Sequence, residues 1–145
     1  MNRVKIELPE LMPFVTRIAI CITDINYGNH AGNQVFLELL HEARVRYLQQ
    51  FGYGELNLEG IGLIMADAAI EFKAEILYGD EVEVAIAATN ISRVGFDLLY
   101  RVTALRQEAA VLAGKAKTAM ICYDYDLKKV VALPDKVKST LLGPA

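Results

Sequence analysis

Only one stretch of this chain repeats its apolar residues at the spacing of a helix. Between about residues 33 and 51, Val35, Phe36, Leu39, Leu40, Ala43, Tyr47 and Leu48 fall on one face, while Glu38, Glu42, Arg46 and Gln49 lie mostly elsewhere. Everything after it changes period. Ile64, Ala66, Ala68, Ile70 and Phe72 alternate with Met65, Asp67, Ala69 and Glu71, which predicts a strand over about residues 63 to 76. Val82, Val84 and Ile86 alternate against Glu81 and Glu83. Phe96, Leu98, Tyr100 and Val102 alternate again, and a last long strand is expected over about residues 111 to 123. Ahead of the helix the β-branched run at 15 to 23 predicts one more strand, and the tail at 134 to 138 a short helix. One long helix among about five strands joined by short turns has few packing solutions. The expected class is α+β, with a curved antiparallel sheet wrapped around a central helix whose Ala43 permits close approach.

The 145 residues are read as a single domain, and 54% of them are hydrophobic, more than one core of this size requires. Long edge strands are commonly covered by a second copy, so the surplus points to self-association as a homodimer or a dimer of dimers. The net charge of −3 and the mixed signs leave no basic stripe for nucleic acid. No run is long enough for a membrane span, and Arg3, Lys5, Glu7 and Pro9 interrupt the start of the chain where a signal peptide would be apolar. Cys21 and Cys122 form no C-x-x-C pair, so free thiols in a reducing cytoplasm and no metal site are expected.

Polar residues crowd the junction between the first strand and the helix. Residues 24 to 33 hold an aspartate, three asparagines, two glycines and a histidine. The unpaired N–H groups and dipole of a helix start favour an anion or a developing oxyanion. Gly32 lets a ligand carbonyl approach the backbone, and the amides near Gly32 and Asn33 suit an oxyanion hole. Asp24, Asn26 and His30 bring a carboxylate, an amide and an imidazole to the same short segment. The same residue types build turns, and Asn33 also suits a helix cap.

Residues 24 to 44, D-I-N-Y-G-N-H-A-G-N-Q-V-F-L-E-L-L-H-E-A-R, resemble the signature of hotdog-fold thioesterases of the 4-hydroxybenzoyl-CoA thioesterase type, D-x-D-x-x-G-H-V-N-N-x-x-Y-L-x-x-x-x-E-A-R. Asp24 matches the first aspartate, His30 the histidine, Asn33 the second asparagine, and Glu42, Ala43 and Arg44 the E-A-R. Phe36 stands where tyrosine is usual, and Gly79 and Asp80 match a G-D that precedes the third strand. The resemblance implies a hotdog fold and hydrolysis of an acyl thioester, usually on coenzyme A, with the carbonyl at the helix N-terminus and no metal or organic cofactor.

The chain departs from the signature where its chemistry is concentrated. Asn26 replaces the second aspartate, the family's base or nucleophile, and an amide neither accepts a proton at neutral pH nor forms an anhydride. Gly32 replaces the first of the paired asparagines, and Gly28 and Asn29 invert the usual glycine position. Asp24, projecting to the same side as Asn26, is the expected replacement base, with Asn26 orienting a water and His30 as partner. Asp67 is expected to point away from the helix and reach a neighbour's site, and Ser92 and Arg93, with Lys115 and Lys117, are expected to meet the coenzyme A phosphates. Glu42 and Arg44 are read as stabilising the fold. Two other functions stay open. The enoyl-CoA hydratases of the same fold carry a motif similar to D-x-N-P-x-H, from which His30 falls one residue late and the proline is missing. A non-catalytic acyl-CoA binding protein would also explain Asn26.

Overall fold

The computed structural model describes residues 1–143. In chain order it contains β1 (Phe14–Ala19), a 3-10 turn (Ile22–Asp24), α1 (Asn33–Gln49), β2 (Gly62–Phe72), β3 (Glu81–Thr89), β4 (Gly95–Arg106), β5 (Ala109–Asp124), β6 (Lys129–Val130) and α2 (Asp135–Leu141). β1 is shorter than its β-branched composition predicts, because the chain winds at Ile22 into the 3-10 turn. The strands form one antiparallel sheet in the order β1-β3-β4-β5-β2, and the short β6 adds to β5. β1 and β2 are therefore its outermost long strands.

The sheet holds α1 by the helix's apolar face. Val35, Phe36, Leu39, Leu40, Ala43, Tyr47 and Leu48 are buried, and they share one core with Val82, Val84 and Ile86 of β3, Phe96, Leu98, Tyr100 and Val102 of β4, and Ala116 and Met120 of β5. Ala43 is fully buried. Arg44 carries a charge into this interior. Arg44 donates from Nη1 to the Tyr100 hydroxyl at 3.2 Å, that hydroxyl meets Thr118 Oγ1 at 2.7 Å, and Arg44 Nε reaches Glu55 at 3.4 Å. Among the described residues no buried side-chain polar atom lacks a partner, so the charge is buried at no cost in orphaned hydrogen bonds. Glu42 pairs one turn along the helix with Arg46 at 2.8 Å. The E-A-R triplet thus packs and ties the helix.

β2 differs from its expected pattern in a way that matters for the site. Met65 pairs with Met120 but Asp67 pairs with Ala119, so Ala66 is bulged out of the ladder. Leu63, Met65, Ala68, Ile70 and Phe72 consequently share the inner face, opposite Cys122, Met120, Thr118, Ala116 and Gly114. Strict alternation along the sequence puts Ile64 and Ala66 on that face instead. A second bulge falls at Ala113, between Gly114 opposite Val102 and Leu112 opposite Thr103. The Ala113 carbonyl accepts the N–H groups of both Lys73, at 2.8 Å, and Ala74, at 3.1 Å. This pair of hydrogen bonds on one carbonyl ends β2 at Phe72, short of the predicted end at Ile76, and turns residues 73 to 76 out of the sheet.

Residues 1 to 13 carry no regular secondary structure and cross the outer face of the sheet, where Ile6 and Met12 are buried and the Ile6 N–H donates to Glu71 Oε2 at 2.6 Å. Among the described residues no helix is long and apolar enough to cross a membrane.

Candidate active site

The polar junction folds into a small closed loop. Ile25 bridges Ala31, the Asn26 N–H donates to the His30 carbonyl at 2.9 Å, and Asn29 turns the chain with a φ of 65°, a value asparagine tolerates better than most residues. Asn26 Oδ1 accepts the Gly28 N–H at 2.8 Å. A Cβ on Gly28 would lie 3.2 Å from both Asn26 Oδ1 and His30 Nε2, so these two side chains converge on the one residue that leaves them room. Asp24 is employed differently. Its Oδ2 accepts the Cys21 N–H at 2.8 Å and closes the 3-10 turn, and no hydrogen bond joins it to Asn26 or His30.

The His30 ring has a defined polarity. Nδ1 lies 3.0 Å from the Ala31 carbonyl oxygen, which only accepts, so Nδ1 carries the proton of the neutral ring and Nε2 presents its lone pair. His30 lines a cavity of about 240 Å³ together with Gly32, Asn33, Phe36, Phe72 and residues 73 to 76. Phe36 and Phe72 form its apolar wall, their rings edge to face with centroids 5.3 Å apart. The start of α1 forms another wall. Gly32 sits at the cap position with no side-chain cap; the Val35 N–H already donates to the Gly32 carbonyl at 3.0 Å, which leaves the N–H groups of Asn33 and Gln34 as the donors without a backbone partner. A histidine, the N–H groups at a helix start and an aromatic slot therefore line one small cavity, and a base with oriented N–H donors is what attack of water on a carbonyl uses.

Of the residues expected from sequence to form the site, the fold brings His30, Gly32 and Asn33 together, with Asn26 beside His30. Asp67 is on the outer face of β2, where its Oδ1 pairs with Lys117 Nζ at 2.9 Å. Ser92 and Arg93 lie in the turn before β4, at the opposite end of the sheet. Gly95 is opposite Ile121 and Phe72 is opposite Gly114, a separation of roughly 24 Å along β5. Ser92 Oγ accepts the Gly95 N–H at 3.1 Å and shapes that turn. The cavity also contains Lys73 and Glu75, which sequence patterns did not single out.

Asp80 and Arg106 hold the cavity's outer loop. The Arg106 guanidinium grips both Asp80 oxygens, at 2.8 and 3.0 Å, and also donates to the Glu75 carbonyl at 2.7 Å. Asp80 Oδ2 accepts the Leu77 N–H at 2.8 Å. Burial alone raises the Asp80 carboxyl; the hydrogen bonds from Arg106 and Leu77 outweigh it and hold the carboxyl below its ordinary value. A carboxyl depressed by folding stabilises above its unfolded pKa and loses that contribution as pH falls through the folded one. Its contribution is therefore full at neutral pH and fades below about pH 4. Asp80→Asn is expected to cost about 2 kcal/mol at pH 7, less than for a fully buried pair because a third of the Arg106 side chain meets water. Urea unfolding at pH 7 and pH 3 checks this, since the difference between the two proteins should shrink in acid.

Comparison with known proteins agrees with this fold. The sequence pattern of the thioesterase-like superfamily matches residues 20–141. A 1,4-dihydroxy-2-naphthoyl-CoA hydrolase from Microcystis aeruginosa is 28% identical over 139 residues, which cover 90% of this chain and 92% of the relative. The crystal structure of a 1,4-dihydroxy-2-naphthoyl-CoA thioesterase from Synechocystis superposes with a TM-score of 0.79 at 22% identity, covering 90% of this chain and 96% of that one. An Asp-to-Asn variant of 4-hydroxybenzoyl CoA thioesterase, complexed with 4-hydroxybenzoyl CoA, superposes with a TM-score of 0.80 at 15% identity, covering 88% and 97%.

Proposed function

This chain belongs to the thioesterase-like superfamily, and we propose that it hydrolyses an acyl-coenzyme A thioester to the free acid and coenzyme A. The observation that carries the reading is the cavity that His30 lines together with Gly32 and Asn33 at the start of α1, with no side-chain cap on that helix end. The acyl group lies against Phe36 and Phe72, and the thioester oxygen takes N–H groups of the first helical turn. Water at Nε2 gives its proton to the imidazole as its oxygen bonds to the carbonyl carbon. The tetrahedral oxyanion is held at the helix start. It collapses by breaking the C–S bond, and the imidazolium returns the proton to the departing thiolate. At about 240 Å³ the cavity is smaller than most ligand pockets, of about 300–1,000 Å³, which suits the thioester end of the substrate and leaves its nucleotide outside.

His30 takes the role of base in this reading because Asp24 is tied into the 3-10 turn and Asn26 into the turn at Gly28. Asn26 keeps its part as an orienting amide next to His30. β2 ends the sheet with Met65, Ala66 and Ala68 exposed, so a second copy is proposed to pair along it. Antiparallel pairing there would carry the turn at Ser92 and Arg93 of the second copy toward this cavity, and with it a cation for the coenzyme A phosphates. Sedimentation finding a monomer at micromolar concentration would contradict the pairing.

Benzoyl-, hexanoyl- and crotonyl-coenzyme A test the activity, with thiol release and loss of the enone absorbance followed together. Thiol release from at least one thioester is expected. Hydration of crotonyl-coenzyme A without thiol release, or stoichiometric binding without turnover of any of the three, overturns the reading. Asp24→Asn is expected to keep kcat within about threefold, since asparagine can still accept the Cys21 N–H; its abolition would return the base to Asp24.

A further inference from the structure

We propose that Glu75 is a positioning residue for His30, restoring from a distant part of the chain the carboxylate that Asn26 lacks; the inference rests on the thioesterase reading above. Glu75 Oε1 lies 3.8 Å from His30 Nε2, and both side chains line the same cavity. Two backbone ties put it there. The Ala31 N–H donates to the Ile76 carbonyl at 2.8 Å, joining the His30 loop to the segment beyond β2, and Arg106 holds the Glu75 carbonyl at 2.7 Å. Lys73, the cation nearest in sequence, is engaged with Glu71 at 3.2 Å. Among the described residues His30 is the one basic group within 4 Å of the Glu75 carboxylate.

The neutral ring places its lone pair, not a proton, toward Glu75. With the ring neutral the two groups are not an ion pair, and water bridges the two acceptors more readily than they touch. Both side chains are also partly in water, with 30% of His30 and 68% of Glu75 exposed, so any resting interaction is weak. The situation changes when Nε2 takes the proton of the attacking water. An imidazolium then faces a carboxylate, and an acyl group filling the cavity has displaced the water that would screen them. Glu75 thus stabilises charge that exists only along the reaction path, the kind of interaction that raises kcat rather than tightening binding.

The roles of the two ring nitrogens divide accordingly. The Ala31 carbonyl fixes the tautomer through Nδ1, and Glu75 receives the charge at Nε2. Glu75→Gln, which keeps size and removes charge, is expected to lower kcat on the order of 30-fold with KM changed less than about twofold. Glu75→Asp should recover part of that loss. In a His30→Gln background Glu75→Gln should cost nothing further, since no imidazolium forms. Unchanged kcat, a raised KM with kcat intact, or the same 30-fold loss without His30 would each overturn the proposal. Thermal unfolding of each variant separates a folding defect from a catalytic one. If the unmodified protein releases no thiol from any thioester, the functional reading itself falls; if it does and Glu75→Gln is neutral, only this inference falls.

Discussion

Replacing His30 with glutamine is expected to lower kcat for thioester hydrolysis by about 10³-fold while KM shifts by less than about threefold. Glutamine keeps a polar group near the Ala31 carbonyl, so the loop retains its shape, but it supplies no group that takes a proton at neutral pH. The N–H groups at the start of α1 remain, which leaves activity above the uncatalysed rate. Magnitude separates this from a merely tethering histidine. Loss of one hydrogen bond in a half-exposed loop costs about 1 kcal/mol of stability and leaves the chemistry intact. Steady-state thiol release together with a melting curve decides between them: a variant that melts about 3 °C lower and turns over normally would remove His30 from the mechanism.

The largest effect on stability is expected at Gly95. It opens β4 opposite Ile121, and a Cβ there would run into the Met120 carbonyl oxygen and sit 3.1 Å from the Ile121 Cα. Both obstacles are backbone atoms of β5, so no side-chain rotation relieves them. β4 would have to lift away where Phe96 enters the core beside Met120, and the Ser92 turn would lose its bonds to Gly95. Gly95→Ala is expected to destabilise by about 3 kcal/mol or more, a fall in Tm of roughly 10 °C for a domain of this size. Gly54→Ala is the matched control, because a Cβ at Gly54 meets nothing within 4 Å. A loss below about 1 kcal/mol at Gly95 would refute the steric account.

The helix was legible because its apolar residues keep one face for its whole length, and its observed span, Asn33–Gln49, ends close to the expected residue 51. The site was legible where it is local. His30, Gly32 and Asn33 are neighbours in sequence, and the helix start that gathers them is announced by the same glycine and asparagine. Glu75 was not legible, because it reaches His30 only through the pairing of β2 with β5, the bulge at Ala113 and the grip of Arg106. One signal existed: Gly79 and Asp80 mark the end of a turn, and so put the residues just before them at the same end of the sheet as Ala19. Ser92 and Arg93 suit a phosphate by residue type alone, which carries no position. The inner face of β2 was misassigned for a further reason, since alanine bulges out of a ladder without any glycine or proline to mark it.

That bulge also governs how the chain can change length. Ala66 has no partner on β5, and Met65 and Asp67 already face consecutive residues, Met120 and Ala119. Deleting Ala66 would leave a regular ladder with every other pair in place. Deleting a paired residue such as Ala69 would pass the slip along the strand and exchange the faces of its neighbours, because side chains repeat with period two. When homologous chains are aligned across this strand, a one-residue gap therefore belongs at Ala66, and moving it elsewhere would match residues that face the helix with residues that face away from it.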